Sequence, residues 1–214
     1  MARIFTKKEA IAIVTSCATR YQQELENRAL LLVCQTQNKT IVCFELAFFA
    51  RNFLHLTGLK TREGPLREEV SATRFYKKCL AHRLSPDDFE FAEDGTSFLK
   101  LEILPAIITN NLSAKMVGNY NYSKPLLITE KLAGNSNGCI GFITDETSGE
   151  LIPNTVLNED IRDNVCEHAR VLAVLRSEPK SRNFVEVTYR VKKVDLASLK
   201  LPDTYKALLP IIMD

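Results

Sequence analysis

Apolar positions Ile11, Ile13, Val14, Cys17 and Ala18 recur at roughly helical spacing behind Thr6, and Glu9 stands three residues after that threonine. The pattern predicts an opening helix over residues 6 to 26, with Thr6 and Glu9 as a capping box. Two β-like runs follow, ALLLVCQT and TIVCFELAFF, split by Gln37-Asn38-Lys39, which is a hairpin signal. The second run leads into RNFLHLTG. The charged stretch 61 to 70, with Gly64-Pro65, reads as an exposed loop. A helix is expected from Ser71 to His82, capped by Ser71 and burying Phe75, Tyr76, Cys79 and Leu80. SFLKLEILPAIITNNL has the length for a further helix that Pro105 would kink or shorten. From about Ala114 the texture changes to short runs between turn residues: KMVGNY, KPLLITEKLAG, GCIGFITD and ELIPNTVL. After a short polar helix expected near Glu159 to Ala169, VLAVLRS and FVEVTYRV flank the turn-rich EPKSRN as another hairpin. Helices first and an antiparallel meander afterwards give an α+β fold: an N-terminal helix and β-hairpin, then helices packed on an antiparallel sheet of four or more strands. One domain is expected, with the N-terminal helix over 1–26, a central region over 27–191 and a tail over 192–214.

Composition narrows the class. With 214 residues, 45% hydrophobic and 25% charged, the chain can build one substantial core. No apolar run reaches the length of a membrane span, and MARIFTKKEA has no signal-peptide core, so a soluble, cytoplasmic protein without a membrane partner is expected. The six cysteines form no CxxC pair and sit mostly among apolar neighbours, which reads as reduced core thiols. Net charge is +2, but residues 1 to 60 carry eight Lys/Arg against four Asp/Glu, residues 101 to 165 four against eight, and residues 166 to 214 nine against six. Basic ends around an acidic middle permit a polyanion-binding groove, although charges solvating surface faces account for the same pattern. GxGxxG, Walker A, GxSxG and HExxH are all missing, and no His pair or DxD cluster has metal-ligand spacing; neither cofactor nor metal is expected.

Candidate chemistry centres first on His55, one of three histidines. An imidazole titrates near neutral pH and serves readily as acid or base. If its segment is extended, Phe53, His55 and Thr57 share one face, with the Arg51 cation four residues back. A core imidazole satisfied by backbone groups is the plainer reading, as is a surface cation for Arg51 and a turn residue for Thr57. Asn119, Tyr120, Asn121, Tyr122 and Ser123 offer hydrogen bonds and rings on which bases could stack. If 126 to 132 is a strand, Thr129 and Lys131 share a face opposite Glu130, a pair able to hold a phosphate or to form cross-strand polar contacts. Asn154, Thr155 and Arg162 could contact a polyanion, while Asn158, Asp160 and Asp163 read as helix-end residues. His82 and His168 read as caps at helix ends.

RNFLHLTG, TRFYKKCL, DDFEF, GNYNYSKPLLITEKLAG and PNTVLNEDIRD together resemble the fourth phage-type family of the barnase-EndoU-colicin-RelE-like nuclease superfamily, from about Asn27 to Val191. The resemblance implies helices followed by a four-stranded antiparallel sheet, and metal-independent RNA cleavage by a protein of a phage or mobile element in a bacterial host. FLHLTG then gives His55 and Thr57, and TEKLAGN gives Thr129 and Lys131. His55 would be general base or acid, Lys131 and Arg51 would stabilise the phosphorane, and Glu130 or a tyrosine would supply a second proton-transfer group. RNA is the expected partner, beside a host or cognate inhibitor protein. The alternatives are a catalytically inactive phage protein that binds RNA, a nucleotide or a host protein, and an enzyme that modifies a nucleotide, such as an ADP-ribosyl transferase.

Overall fold

The computed structural model describes residues 3–61, 71–124, 127–192, 194, 198–208 and 211. The predicted loop over 61 to 70 lies outside these, except for Thr61. Helix α1 spans Lys7–Glu24, and its capping box is formed as expected: the Thr6 hydroxyl accepts from the Glu9 amide while the Glu9 carboxylate accepts from the Thr6 amide. Its buried stripe of Ala10, Val14, Cys17, Ala18 and Tyr21 packs towards the sheet. Strands β1 (Ala29–Thr36) and β2 (Ile41–Ala47) form the predicted hairpin. RNFLHLTG is not a strand. A 3-10 turn over Ala50–Asn52 passes into α2 (Phe53–Thr57), which ends at Gly58 in the left-handed region, φ 68°. There a side chain would strain the backbone and a Cβ would sit 2.8 Å from Lys100 Cδ.

Strands β3 (Lys60–Thr61) and β4 (Phe89–Glu90) make a small separate ladder around α3 (Ala72–Leu80), whose N-cap is Ser71. Helix α4 runs from Thr96 to Ile107. The meander follows as β5 (Met116–Tyr120), β6 (Lys131–Gly134), β7 (Cys139–Thr144) and β8 (Leu151–Leu157), each antiparallel to the one before. The helix expected near Glu159 to Ala169 is reduced to a 3-10 turn over Ile161–Asp163, capped by the Asp160 side chain. From Val165 the chain is already in β9 (Val165–Ser177), which pairs with β10 (Phe184–Arg190).

The sheet is larger than the expected four-strand core, because seven strands close in the order β1-β2-β8-β7-β6-β5-β9 and back to β1. Closure comes from the β1–β9 pairing and from a single parallel bridge between β2 and β8, Leu46 opposite Leu151. Arg182, in the β9–β10 turn, forms ion pairs with Glu45 on β2 and with Glu150 just before β8, on either side of that seam. β9 has three partners and only two edges. β1 overlaps both β5 and β10 along it, so β5 and β10 share the opposite edge, one after the other.

One face of the barrel sheet and the helices form the main core, with Leu30, Leu32, Phe142, Val156 and Val171 meeting Val14, Tyr21, Phe75 and Leu104. Burying side chains of this size stabilises the fold by roughly 1.5–3 kcal/mol each. On the other face, Leu31, Val33, Leu172 and Leu175 are covered by Leu199 and Leu201 from the tail. Among the described residues no helix is long and apolar enough to cross a membrane.

Candidate active site

The widest chemical variety gathers at one mouth of the barrel. A cleft of about 540 Å³ there is lined by the β1–β2 turn, Phe44 of β2, Asn119 of β5, Lys131 of β6, and Glu167 and His168 of β9. The Lys131 ammonium donates to Asn119 Oδ1 at 2.6 Å and lies 5.2 Å from the centre of the Phe44 ring. Asn119 Nδ2 donates in turn to the Glu167 carboxylate at 2.9 Å, and Gln37 Nε2 is 3.4 Å from His168 Nε2. Cation, amide and carboxylate are thus joined in a chain, with an imidazole beside them.

A β-bulge brings the acid and the imidazole together. Along β5 and β9, Val117 faces Ala169 and Asn119 faces Cys166, so Glu167 and His168 both stand opposite Gly118. Glu167 takes a left-handed conformation, φ 49°, which costs a non-glycine residue free energy and is found where a strand re-aims a side chain. Gly118 permits the close approach: a Cβ there would be 2.7 Å from Val165 Cβ. His168 is therefore no helix cap, because the helix that would have needed one is a strand.

The residues singled out from sequence divide. Lys131 and Asn119 are in the cleft. Thr129 is buried and does not share the Lys131 face; β6 begins only at Lys131, and the Thr129 hydroxyl donates to the Phe142 carbonyl at 3.1 Å. A second bulge, in β8, leaves Asn154 unpaired and lets it reach Thr129 Oγ1 at 3.2 Å and the Ile128 carbonyl, while Thr155 is buried against Gly141. These three hold strands together. Tyr120 is buried and its hydroxyl accepts from the Lys124 amide at 2.8 Å, so its ring is closed to a base; exposed Tyr122 lies 5.4 Å from it. Asn121 donates to the Asp163 carbonyl, and Arg162 folds back onto Asp160. Arg51 pairs with Asp145 at 2.7 Å and lies over the Phe49 ring.

His55 and Thr57 point apart, since residues two apart on a helix do not share a face. Thr57 is fully buried, donating to the Leu54 carbonyl and accepting from the Leu59 amide. His55 is exposed, and Lys100 of α4 donates to its carbonyl at 3.1 Å. Desolvation, with the Lys100 charge behind it, holds the imidazole below its ordinary pKa. Lys100 is itself pushed down to about 8 by burial. Neither residue lines the barrel-mouth cleft. Hydrogen bonds from the Thr144 amide and hydroxyl lower the Glu130 carboxyl, which disfavours it as a proton donor. His82, in the left-handed region just past α3, donates its amide to the Cys79 carbonyl, as a terminal residue should. Burial raises the Cys17, Cys43, Cys79 and Cys139 thiols to about 12, so thiolate chemistry is disfavoured at each; Cys166, by contrast, is exposed. Among the described residues no group of three or more His, Cys, Asp or Glu side chains could hold a metal ion.

Fold and cleft together describe an α+β barrel that carries a carboxylate, an imidazole and an ammonium at one mouth. The family model described as phage-Barnase-EndoU-ColicinE5/D-RelE like nuclease 4 matches residues 13–193, and the chain belongs to that family. No curated protein and no solved structure matches it.

Proposed function

We propose that the protein is a metal-independent RNA endonuclease whose reaction centre is the barrel mouth. The observation that carries this reading is the β9 bulge, which puts Glu167 and His168 in one cleft with Lys131 and Asn119. Cleavage through the ribose needs two proton transfers, and the pair supplies both. Glu167 takes the proton from the 2′-hydroxyl as that oxygen attacks phosphorus. His168, as general acid, gives a proton to the 5′-oxygen as the P–O5′ bond breaks, leaving a 2′,3′-cyclic phosphate. Lys131 offsets the charge gathering on the phosphorane, and Asn119 holds both Lys131 and Glu167 in place. Positioned proton transfer contributes ~10²–10⁴-fold and electrostatic stabilisation is often larger still.

Incubation with a 5′-labelled single-stranded RNA in EDTA tests the reading. Wild-type protein should release fragments ending in a cyclic phosphate, and Lys131→Met should slow this by ~10²-fold or more. A substrate cut equally well with its 2′-hydroxyls removed overturns the mechanism; tight, salt-sensitive binding without any cutting favours an inactive RNA-binding protein.

A second centre remains in play at His55. Its imidazole is kept towards the neutral, proton-accepting form by partial desolvation and by the Lys100 charge, which favours a base there. In that case His55→Ala, and not His168→Ala, would abolish cleavage.

A further inference from the structure

Where β5 and β10 meet end to end along the same edge of β9, the sheet leaves a notch. The last contact on the β5 side is the Val171 amide donating to the Lys115 carbonyl, and the first on the β10 side is the Val191 amide donating to the Leu172 carbonyl. Between them lies a concavity of about 500 Å³. Its polar lining is Lys115, Arg170, Tyr189, Arg190 and Lys192, and among the described residues no acidic one contributes.

All four cations are exposed, and among the described residues none has an ion-pair partner. Several cations elsewhere hold a carboxylate, among them Arg51, Lys78, Lys124, Arg162, Arg176 and Arg182, whereas the notch gathers four that do not. Four like charges with no counter-charge among the described residues repel one another, an arrangement that an anion would relieve. One of them is already engaged with a ring, the Lys115 ammonium lying 4.1 Å from the centre of Tyr189. Cations beside a flat ring are the two elements by which proteins hold a single strand, one for phosphates and one for a base.

The notch is also close to the cleft. Ala169 and Val171 enter the core while His168 and Arg170 alternate with them, and two strand residues span ~7 Å. We infer that the β5/β10 notch is the phosphodiester-binding track of this protein, holding single-stranded RNA beside the barrel mouth. The inference rests on the nuclease reading for its choice of RNA, and on the unpaired cations for its place.

Fluorescence anisotropy with a fluorescein-labelled, 2′-O-methyl single-stranded oligonucleotide, which cannot be cut through its 2′-oxygen, reads binding alone. The Lys115→Gln/Arg190→Gln/Lys192→Gln variant should bind at least about tenfold more weakly at low salt. Its slope of log affinity against log salt should fall by about 2, as expected for three lost phosphate contacts on a single strand. Lys77→Gln, on the exposed side of α3, should match wild type. A triple variant with unchanged affinity and slope overturns the notch, whether or not the protein cuts RNA. Loss of binding in the triple variant of a protein that never cuts RNA upholds the notch and overturns the nuclease reading alone.

Discussion

Two histidines, His55 and His168, sit in opposite electrostatic company. His55 faces a lysine and is held towards its neutral form; His168 lies beside a glutamate in a cleft that also holds a lysine and an amide. His55 stands out in the sequence because its immediate neighbours are varied, whereas His168, in CEHAR, looks like punctuation at a helix end. What separates them is which strands arrive from elsewhere in the chain. Lys131 and Asn119 converge on His168, and nothing comparable from the cleft reaches His55.

The sharpest way to break that contrast is to remove each imidazole in turn. His168→Ala should reduce RNA cleavage in EDTA by ~10²–10⁴-fold, while His55→Ala should leave it within about threefold. The reverse ranking would move the reaction centre to α2. A less drastic change acts on the bulge. In Gly118→Ala the new methyl meets Val165 at 2.7 Å, so the strands must separate. Chemical denaturation should show a loss of about 1–3 kcal/mol, and cleavage by the folded fraction should fall, because Glu167 and His168 would no longer be held opposite position 118, beside Asn119. Undiminished specific activity would mean that the bulge does not position the pair.

The smallest effect sharpens the His55 side. Lys100 has a folded pKa of about 8 against a usual 10.5, so between those values the folded chain binds fewer protons than the unfolded one. Stability therefore rises with pH across that window, and below about 8 the full penalty is present. Lys100→Met keeps most of the stem against Gly58 and should raise Tm at pH 7 by about 2–6 °C, with no such rise near pH 11. The His55 titration, followed by NMR, should move upward in the same variant, since Lys100 is one of the two causes holding it down. An unmoved midpoint would leave desolvation as the whole cause.

Local signals were legible where one segment decides its own structure. Thr6 with Glu9 fixes the start of α1, Ser71 fixes α3, and the turn residues after Ala114 mark β5 to β8. Misreadings fall where a segment is too short or too irregular for its period to count. Five residues of α2 make little more than one turn, for which strand alternation is an equally good description. The bulge at Glu167 and His168 breaks the alternation of β9, so its first residues mimic a polar helix. Ring closure was hidden for another reason: β2 and β8 lie about a hundred residues apart and meet through one bridge, so no local pattern records it. Of the cleft, Lys131 and Asn119 were found by their residue types; Glu167 and His168 could have been flagged only by asking why a glycine, Gly118, stands inside an otherwise regular strand.

That one bridge has a mechanical consequence. A hydrogen-bonded ring yields at its thinnest link, and here the link is a single parallel pair reinforced by surface ion pairs through Arg182, which are weak in water and weaker in salt. β2, the strand it anchors, is also the wall that carries Val42 and Phe44 into the cleft. Local opening at the seam would let this wall swing while the helices and β9 stay packed. Under the proposed function, opening there would widen the mouth sideways, through the wall of the barrel.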